Sequence, residues 1–290
     1  MPIDKRKISI ILPAKNEAKG LTKLLNQIIA LYPDTEVLVV NDGSTDDTTK
    51  VSEQAGAKVI THPYSMGNGA AIKTGARQAT GNILVFMDAD GQHRPEEISG
   101  LLKSLDNGFD MVVGARSVSG QASFSRLAAN SVYNKLASWM VGRNIPDLTS
   151  GFRAVKADKF REFLHLLPNG FSYPTTITMS FFRAGYSVAY FNISAQKREG
   201  KSHVNPLKDG IRFLLIIFKI GTLYSPLKLF FPISALHFIL GFGYYIYTYS
   251  NFGRFTNMSA LLLTTSVIIF LIGLISEQIT SLLYTREKDQ

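Results

Sequence analysis

Short apolar runs alternate with longer amphipathic segments in the N-terminal part of the chain. The apolar runs are rich in β-branched residues and bounded by turn-forming residues, which is typical of strands. They lie at residues 8–13, 36–42, 57–61, 82–88 and 110–115. The segments between them have the spacing of helices and lie at 17–31, 45–54, 66–79 and 95–107. This alternation predicts βαβ units and an α/β fold with a mostly parallel sheet.

Three of the predicted strands lead directly into acidic residues. Glu17 follows the first strand, Asp42 ends the second, and Asp88 and Asp90 follow the fourth. Ligands of open α/β sheets bind beyond the carboxyl ends of the strands. We therefore expect these carboxylates to share one edge of the sheet, facing a ligand.

The C-terminal part has a different pattern. Residues 229–253 contain no Asp, Glu, Lys or Arg, and neither do residues 255–276. A membrane-spanning helix needs about 20 mostly apolar residues. Two transmembrane helices are therefore predicted, at about 229–250 and about 257–277. A hairpin buried inside a soluble protein is the alternative interpretation.

The segment between these two parts has a third pattern. On a helix over residues 206–223, Lys208, Arg212 and Lys219 fall on one narrow stripe, and apolar residues fill the rest. This arrangement is typical of a helix that lies in a membrane interface, although a helix packed on a core is the alternative. The predicted domains are a cytosolic domain at 1–205, an interface helix at 206–225 and a membrane anchor at 226–290.

The distribution of charge predicts partners and an orientation. The formal net charge of +9 suits an anionic partner, namely a nucleic acid, an anionic lipid surface or a phosphorylated substrate. Basic residues precede the first span and follow the second, whereas the connecting loop holds only Arg254. The positive-inside rule then places both termini and the N-terminal domain in the cytoplasm, in a multi-pass protein of the cell membrane. The chain has no Cys, which excludes a disulfide scaffold and a thiolate metal site.

The acidic stretch after the fourth strand suggests a metal site. Asp88, Asp90 and Gln92 follow one another in the same register, and they offer only hard oxygen ligands. Such ligands suit Mg²⁺ or Mn²⁺ that also binds substrate phosphates. A solvated turn is the alternative interpretation of an isolated Asp-x-Asp. His93 is a further candidate ligand, with a polar residue near a turn as the alternative interpretation. Asp147 is placed either to orient a substrate or to cap the segment LTSGF, and the sequence does not decide between these roles.

The Gly-rich segment GNGAAIKTG is not a phosphate loop. That motif requires Gly directly before the Lys, and Ile72 stands before Lys73. We interpret the segment as the start of a helix, whose backbone N–H groups are suited to contact an anion.

Four motifs occur in a fixed order along the chain: LPAKNE, VVNDGSTDDT, MDADGQH and DLTSGFRAV. In this order and at these spacings they resemble family 2 glycosyltransferases of the GT-A fold. With the C-terminal spans, the chain is similar to dolichyl-phosphate mannose synthases and bacterial polyprenyl-phosphate glycosyltransferases. The resemblance implies a membrane-bound, inverting enzyme that moves one hexose from a nucleotide-diphosphate sugar to a polyprenyl phosphate.

The resemblance also implies roles for individual residues. The donor nucleotide would be bound by Pro13, Ala14, Glu17, Asp42 and Asp88. The metal would be held by Asp88, Asp90 and Gln92. The acceptor phosphate would be bound by Arg116, Arg126, Asn130, Arg198 and Ser202. The catalytic candidates are Asp90, Arg116 and Arg126, and solvated surface arginines are the alternative interpretation of the two basic residues.

Other functions are less well supported. A processive synthase, or another family 2 enzyme that acts on a sugar hydroxyl, is the main alternative. Processive enzymes usually carry Gln-x-x-Arg-Trp, whereas Trp139, the only Trp, follows Leu-Ala-Ser. A non-catalytic adaptor should have lost the metal-binding acids. Nucleic acid is not expected as a partner, because no basic and aromatic recognition strip is visible. The membrane helices offer a surface for homo-oligomerisation.

Overall fold

The structure is a computed structural model, and it describes residues 7–116, 124–170, 173–194, 215, 218 and 221–285. Side chains are described for these residues except 124–130 and 283–285. The chain divides into two compact units, Met1–Gly210 and Ile211–Gln290. Most of the predicted interface helix at 206–225 lies outside the described residues.

The N-terminal unit is built on a sheet whose described part has seven strands. They are β1 (Ile8–Ala14), β2 (Glu36–Asn41), β3 (Lys58–Thr61), β4 (Ile83–Phe86), β5 (Met111–Arg116), β6 (Arg153–Lys156) and β7 (Val188–Ile193). Their order across the sheet is β3-β2-β1-β4-β6-β5-β7. Only β6 runs antiparallel to its neighbours among these strands. The prediction of an α/β fold with a mostly parallel sheet is therefore confirmed.

Helices connect the strands of this unit. They are α1 (Ala18–Leu31), α2 (Thr48–Gln54), α3 (Asn68–Gln78), α4 (Ile98–Asp106), α5 (Phe124–Val141), α6 (Ala157–Arg161) and α7 (Tyr173–Arg183). The first four lie where the sequence predicts helices. The segment predicted at 95–107 begins as a 3₁₀ turn, Pro95–Glu97, before α4.

The main core lies between the sheet, α1 and α4. In α1 the four buried residues Leu21, Leu24, Leu25 and Ile28 recur at helical spacing, so they form one apolar face. They pack in the same cluster as buried residues of β1 and β4. Burying a Leu or Ile side chain contributes about 1.5–3 kcal/mol, so this face fixes the position of α1 on the sheet.

Strand β6 brings a distant loop to the centre of the sheet. It lies between β4 and β5, and Arg153 pairs with Phe86 on one side and with Val113 on the other. Because β6 is antiparallel to β4, the residues before Arg153 lie beside the residues that follow Phe86. The loop at 147–152 is thereby placed next to Asp88.

The C-terminal unit contains two long apolar helices. They are α8 (Pro226–Phe252) and α9 (Asn257–Thr285), and both are long and apolar enough to cross a membrane. Gly253 ends α8 in the left-handed conformation, with φ 62°. Ser234 and Ser266 donate hydrogen bonds to each other's carbonyl oxygens, at 2.9 and 3.0 Å.

The apolar side chains of these helices mostly face outward. Ile239 is 66% exposed on α8, and Leu261 is 60% exposed on α9. A hairpin in the core of a soluble protein would bury such side chains, and an apolar surface of this extent marks contact with another apolar phase. The exposure therefore favours the membrane interpretation of the two helices.

An ionic cluster around Asp110 lies at the end of the sheet opposite Asp42, Asp88 and Asp90. Asp110 accepts hydrogen bonds from Lys156 and Lys159, at 2.8 and 2.7 Å, and from the backbone and hydroxyl of Ser187, both at 2.9 Å. Burial raises the pKa of Asp110, but the hydrogen bonds outweigh it and hold the pKa well below its usual value. The ionised carboxylate therefore stabilises the fold.

We expect Asp110→Asn to lower the free energy of unfolding by about 2 kcal/mol at pH 7. A depressed carboxyl pKa gives stability that is present above the unfolded pKa, about 3.9, and is lost as the pH falls below it. The difference between the two proteins should therefore shrink below about pH 4. Denaturation in detergent at several pH values measures this difference in the free energy of unfolding. Asp34→Asn, at an exposed position, is the control. A difference that stays constant down to pH 3 would contradict this role.

Candidate active site

A cavity of about 430 Å³ opens beyond the carboxyl ends of β1, β2 and β4. Its lining includes all five residues predicted to bind the donor nucleotide, and Asp90: Pro13, Ala14, Glu17, Asp42, Asp88 and Asp90. Gln92 is not among the lining residues. The carboxylates that follow three separate strands thus meet at one edge of the sheet, as expected from the strand ends.

The loops after β1 and β2 are tied to each other. Asn16 has φ 56°, in the left-handed region that Asn tolerates better than most residues. In this conformation its backbone N–H donates to Ser44 Oγ at 3.0 Å, and its Oδ1 accepts the N–H of Thr45 at 2.8 Å. These bonds fix the loop after β1 to the loop that follows Asp42.

Asp42 anchors a loop that borders the cavity. Its Oδ1 accepts hydrogen bonds from His62 Nδ1 at 2.8 Å and from the N–H of Met66 at 2.7 Å. Its Oδ2 accepts from Ser65 Oγ at 2.8 Å and from the N–H of Gly67 at 2.9 Å. A carboxylate offers about four acceptor sites, so all of them are used. Burial raises the pKa of Asp42, but these bonds, led by that from His62, outweigh burial and lower the pKa below its usual value.

We expect Asp42→Ala to weaken donor binding about tenfold, because the loop at 62–67 loses four hydrogen bonds at once. Calorimetry with the nucleotide-sugar measures the effect. His62→Ala removes one of the four bonds and should cause a smaller loss. If Asp42→Ala binds the donor as tightly as the unmodified protein, the loop has no part in donor binding.

The acidic pair after β4 fits a divalent cation. Asp88 and Asp90 both line the cavity, and the Asp88 side chain is 36% exposed. Gln92 donates its backbone N–H to Asp90 Oδ1 at 3.1 Å, which fixes the turn. Within the described ranges, no group of three or more His, Cys, Asp or Glu side chains forms a complete metal site. Two carboxylates with oxygens of a substrate diphosphate are nevertheless a usual ligand set for Mg²⁺.

A glycine allows the 147–152 loop to approach Asp88 closely. A Cβ at Gly151 would lie 3.1 Å from Asp88 Oδ2 and 3.2 Å from the Tyr173 hydroxyl. The Tyr173 hydroxyl donates to Gly151 O at 3.4 Å. Tyr173 is buried, and burial raises its pKa above the usual value. Gly151 and a neutral Tyr173 therefore form the wall of the cavity beside Asp88.

His93 lies close to Asp88 without forming a hydrogen bond to it. Its ring is 5% exposed and stacks on Phe152, with centroids 4.9 Å apart and an interplanar angle of 18°. His93 Nε2 lies 3.6 Å from Asp88 Oδ2, which is too long for a hydrogen bond. His93 is not among the residues that line the cavity.

Arg116 is held by the loop that precedes β6. Its Nε donates to Asp147 Oδ2 at 2.8 Å, and its Nη2 donates to Asp147 Oδ1 at 3.0 Å and to Thr149 Oγ1 at 2.7 Å. Asp147 also accepts the backbone N–H groups of Thr149 and Ser150, both at 3.1 Å. Burial raises the pKa of Asp147, but Arg116 outweighs it and lowers the pKa. Asp147 thus shapes the loop and orients Arg116.

Comparison with known protein families agrees with this geometry. The model of glycosyl transferase family 2 matches residues 9–164, and the model of the GtrB C-terminal hairpin matches residues 225–282. The chain belongs to glycosyl transferase family 2. The first match covers the strands that carry the acidic residues, and the second covers nearly all of both apolar helices.

Several curated proteins are similar to this glycosyltransferase. The polyprenol monophosphomannose synthase of Mycolicibacterium smegmatis is 30% identical over 66% of this chain and 77% of that protein. The undecaprenyl-phosphate mannosyltransferase of Micrococcus luteus is 29% identical over 67% and 85%. The dolichol-phosphate mannosyltransferase of Pyrococcus furiosus is 34% identical over 57% and 50%.

Solved structures share the fold. Glucosyl-3-phosphoglycerate synthase from Mycobacterium tuberculosis, crystallised with Mn²⁺ and UDP-glucose, has a TM-score of 0.61 at 22% identity. The alignment covers 75% of this chain and 79% of that one. The predicted GT-A architecture of the glycosyltransferase is thereby confirmed.

Only one of the predicted acceptor-binding residues has a described side chain. That residue is Arg116. Arg126 and Asn130 lie on α5, but their side chains are outside the described residues. Arg198 and Ser202 lie outside the described residues altogether. The acceptor assignments therefore stay predictions.

The sequence analysis assigned no individual role to ten residues of the cavity. They are Lys15, Ser65, Gly67, Asn68, Ala71, Ala89, Thr149, Gly151, Tyr173 and Pro174. Lys15 and Gly151 stand inside quoted motifs, so those motifs were a signal that could have identified them. Tyr173 and Pro174 come from the start of α7, and no local pattern connects that helix to the acidic pair.

Proposed function

We propose that this glycosyltransferase moves one sugar, a hexose, from a nucleotide-diphosphate sugar to a polyprenyl phosphate. The observation that carries the proposal is the meeting of Asp42, Asp88 and Asp90 in one cavity of a chain that also has two exposed apolar helices. The names of the similar proteins, which pair a polyprenyl phosphate with a sugar, support the choice of acceptor.

Asp88 and Asp90 are proposed to hold Mg²⁺ or Mn²⁺, with Gln92 as a further oxygen ligand. The crystals of the synthase with Mn²⁺ and UDP-glucose support a metal of this kind. When bound, the cation would neutralise the charge that develops on the departing diphosphate. The residues Pro13, Ala14, Glu17 and Asp42 would hold the nucleotide, the last through the loop that it anchors.

The acceptor phosphate is proposed to act as the nucleophile with inversion at the anomeric carbon. A phosphate monoester has a second pKa of about 6, so it is mostly ionised at neutral pH and needs no general base. Arg116 would contact it through Nη1, since its Nε and Nη2 are engaged by Asp147 and Thr149. Arg126, Asn130, Arg198 and Ser202 complete the proposed phosphate site.

An acceptor with a sugar hydroxyl is less well supported. A hydroxyl needs a general base, and the best bases have a pKa near the working pH. Asp147 is 4% exposed, is paired with Arg116, and has a lowered pKa. It is therefore a poor base, which favours an acceptor that is already ionised.

The apolar hairpin is proposed to anchor the enzyme in the cell membrane. Both termini and the domain at 1–205 would be cytoplasmic, the segment at 206–225 would lie in the interface, and 226–290 would form the anchor. Arg254, the only charged residue between the spans, fits the non-cytoplasmic side. Contacts between the outward apolar faces of α8 and α9 are the proposed route to a homo-oligomer.

A comparison of acceptors tests the proposed function. The purified enzyme in detergent is incubated with labelled nucleotide sugars and with polyprenyl phosphate, polyprenol or a simple glycoside. Label should enter the lipid fraction only with polyprenyl phosphate. Equal transfer to polyprenol would exclude the phosphate as the nucleophile, and transfer only to the glycoside would favour a sugar-hydroxyl enzyme.

A further inference from the structure

Arg153, the first residue of β6, is buried without an acidic partner. Its side chain is 0% exposed. No carboxylate of the described residues lies within ion-pair distance of its guanidinium. Burying an unpaired charge is costly, and an apolar side chain of similar volume would often be as stable or more so. Packing alone therefore does not account for an arginine at this position.

The guanidinium of Arg153 joins two backbone segments. Its Nη2 donates to Ser150 O, and its Nη1 donates to Pro174 O at 3.3 Å and to Thr178 Oγ1 at 3.2 Å. Thr178 Oγ1 in turn donates to Pro174 O at 2.8 Å. Arg153 thereby links the loop at 147–152 to the first turns of α7.

These two segments form the cavity wall beside Asp88. Gly151 follows Ser150, and Tyr173 precedes Pro174. Gly151, Tyr173 and Pro174 all line the cavity. The Arg153 guanidinium also lies 5.8 Å from the centroid of the Tyr173 ring. Since a Cβ at Gly151 would lie only 3.1 Å from Asp88 Oδ2, a small displacement of either segment would change the space around Asp88.

The positive charge of Arg153 interacts electrostatically with groups of the same cavity wall. Burial lowers the pKa of Arg153, whereas Tyr173, Tyr190, Asp147 and Asp88 raise it. An arginine stays protonated at any ordinary pH. A fixed positive charge therefore lies next to the cavity wall, and two of its hydrogen bonds go to backbone carbonyls of that wall.

We propose that Arg153 is a positioning residue for the donor diphosphate. By holding Ser150 O and Pro174 O it fixes Gly151 and Tyr173 relative to Asp88, and so determines where a metal-bound diphosphate fits. This inference rests on the proposed function, because it assumes that the cavity binds the donor. Arg153 does not touch the substrate and acts only through the wall.

Steady-state kinetics of Arg153→Lys and Arg153→Met test the proposal. Loss of a hydrogen bond from a charged group corresponds to about a tenfold or greater change in affinity. We expect the Met variant to raise the KM for the nucleotide-sugar by about tenfold or more, while the KM for polyprenyl phosphate stays unchanged. Lys keeps the charge but lacks the planar guanidinium with its several N–H donors. It should therefore restore only part of the donor affinity.

Arg161→Lys is the matched control. Arg161 also donates to two backbone carbonyls, Ala76 O at 2.9 Å and Ala79 O at 2.7 Å, but it does not line the cavity. A merely structural arginine would change the folded fraction, so it would lower kcat and leave both KM values alone. That result for Arg153→Met, or an equal rise in both KM values, would overturn the proposal.

A milder variant keeps the test decisive if Arg153→Met does not fold. Thr178→Val removes one of the groups that orient the guanidinium, and should raise the donor KM by about threefold. An unchanged donor KM in Thr178→Val would also overturn the proposal. Calorimetry with the nucleotide-sugar alone separates the role of Arg153 in donor binding from the choice of polyprenyl phosphate as acceptor. It reports on Arg153 even if polyprenyl phosphate is not the acceptor. If the unmodified enzyme binds no nucleotide-sugar, the proposed function itself fails.

Discussion

Asp90→Asn should lower the turnover number by about a hundredfold or more while leaving the fold intact. A catalytic metal supplies several kcal/mol of charge stabilisation, and each 1.4 kcal/mol is about a factor of ten in rate. Asn keeps the shape of the side chain but removes the charge that attracts the cation. The turn at Gln92 should persist, because an amide oxygen still accepts its N–H. Initial rates at saturating substrates and metal measure the loss.

A surface carboxylate provides the control for this variant. Asp47→Asn changes the same chemical group at an exposed position outside the cavity and should leave the turnover unchanged. Excess chelator should abolish the activity of the unmodified enzyme, and Mg²⁺ or Mn²⁺ should restore it. Full activity of Asp90→Asn, or of the unmodified enzyme in chelator, would contradict the metal assignment.

Arg116→Ala should reduce the use of polyprenyl phosphate by about ten- to a hundredfold. A hydrogen bond from a charged group contributes about 1.5–3 kcal/mol, and Arg116 is proposed to give such bonds to the acceptor phosphate. The change also leaves Asp147 buried without its partner, so the thermal midpoint should fall. Kinetics against polyprenyl phosphate and calorimetric binding of the nucleotide-sugar measure the two substrates separately.

The double variant Arg116→Ala with Asp147→Asn separates the two roles of Arg116. If Arg116 serves only to neutralise Asp147, the double variant should work as well as Asp147→Asn alone. If Arg116 also binds the acceptor, the double variant should recover stability but keep a raised KM for polyprenyl phosphate. Weakened donor binding with normal acceptor kinetics would place Arg116 on the donor side of the cavity.

Sequence periodicity was sufficient to predict the first half of the domain. Strands β1 to β5 are apolar runs bounded by turn residues, and parallel strands bring their carboxyl ends to one edge. This is why Asp42, Asp88 and Asp90 could be placed together without coordinates. The apolar helices α8 and α9 were predictable for a similar reason, because composition over about 20 residues determines whether a helix can span a membrane.

The remaining parts of the site depend on long-range packing. Strand β6 has four residues and begins on Arg153, so no apolar run marks it, and its antiparallel insertion breaks the βαβ pattern. The pairing of Arg116 with Asp147 joins residues 31 positions apart. Saturation of Asp42 by the loop at 62–67 likewise has no local signature, since only the folded chain brings those donors to the carboxylate.

Mass spectrometry of the lipid product tests the transfer of a single sugar to polyprenyl phosphate most directly. The purified enzyme is incubated to completion with polyprenyl phosphate, the preferred nucleotide-sugar and a divalent cation, with Asp90→Asn in parallel. We expect one product whose mass exceeds that of the polyprenyl phosphate by a single sugar, formed only by the unmodified enzyme. A ladder of products with several sugars, or an unaltered polyprenyl phosphate while the nucleotide-sugar is consumed, would contradict the proposed function.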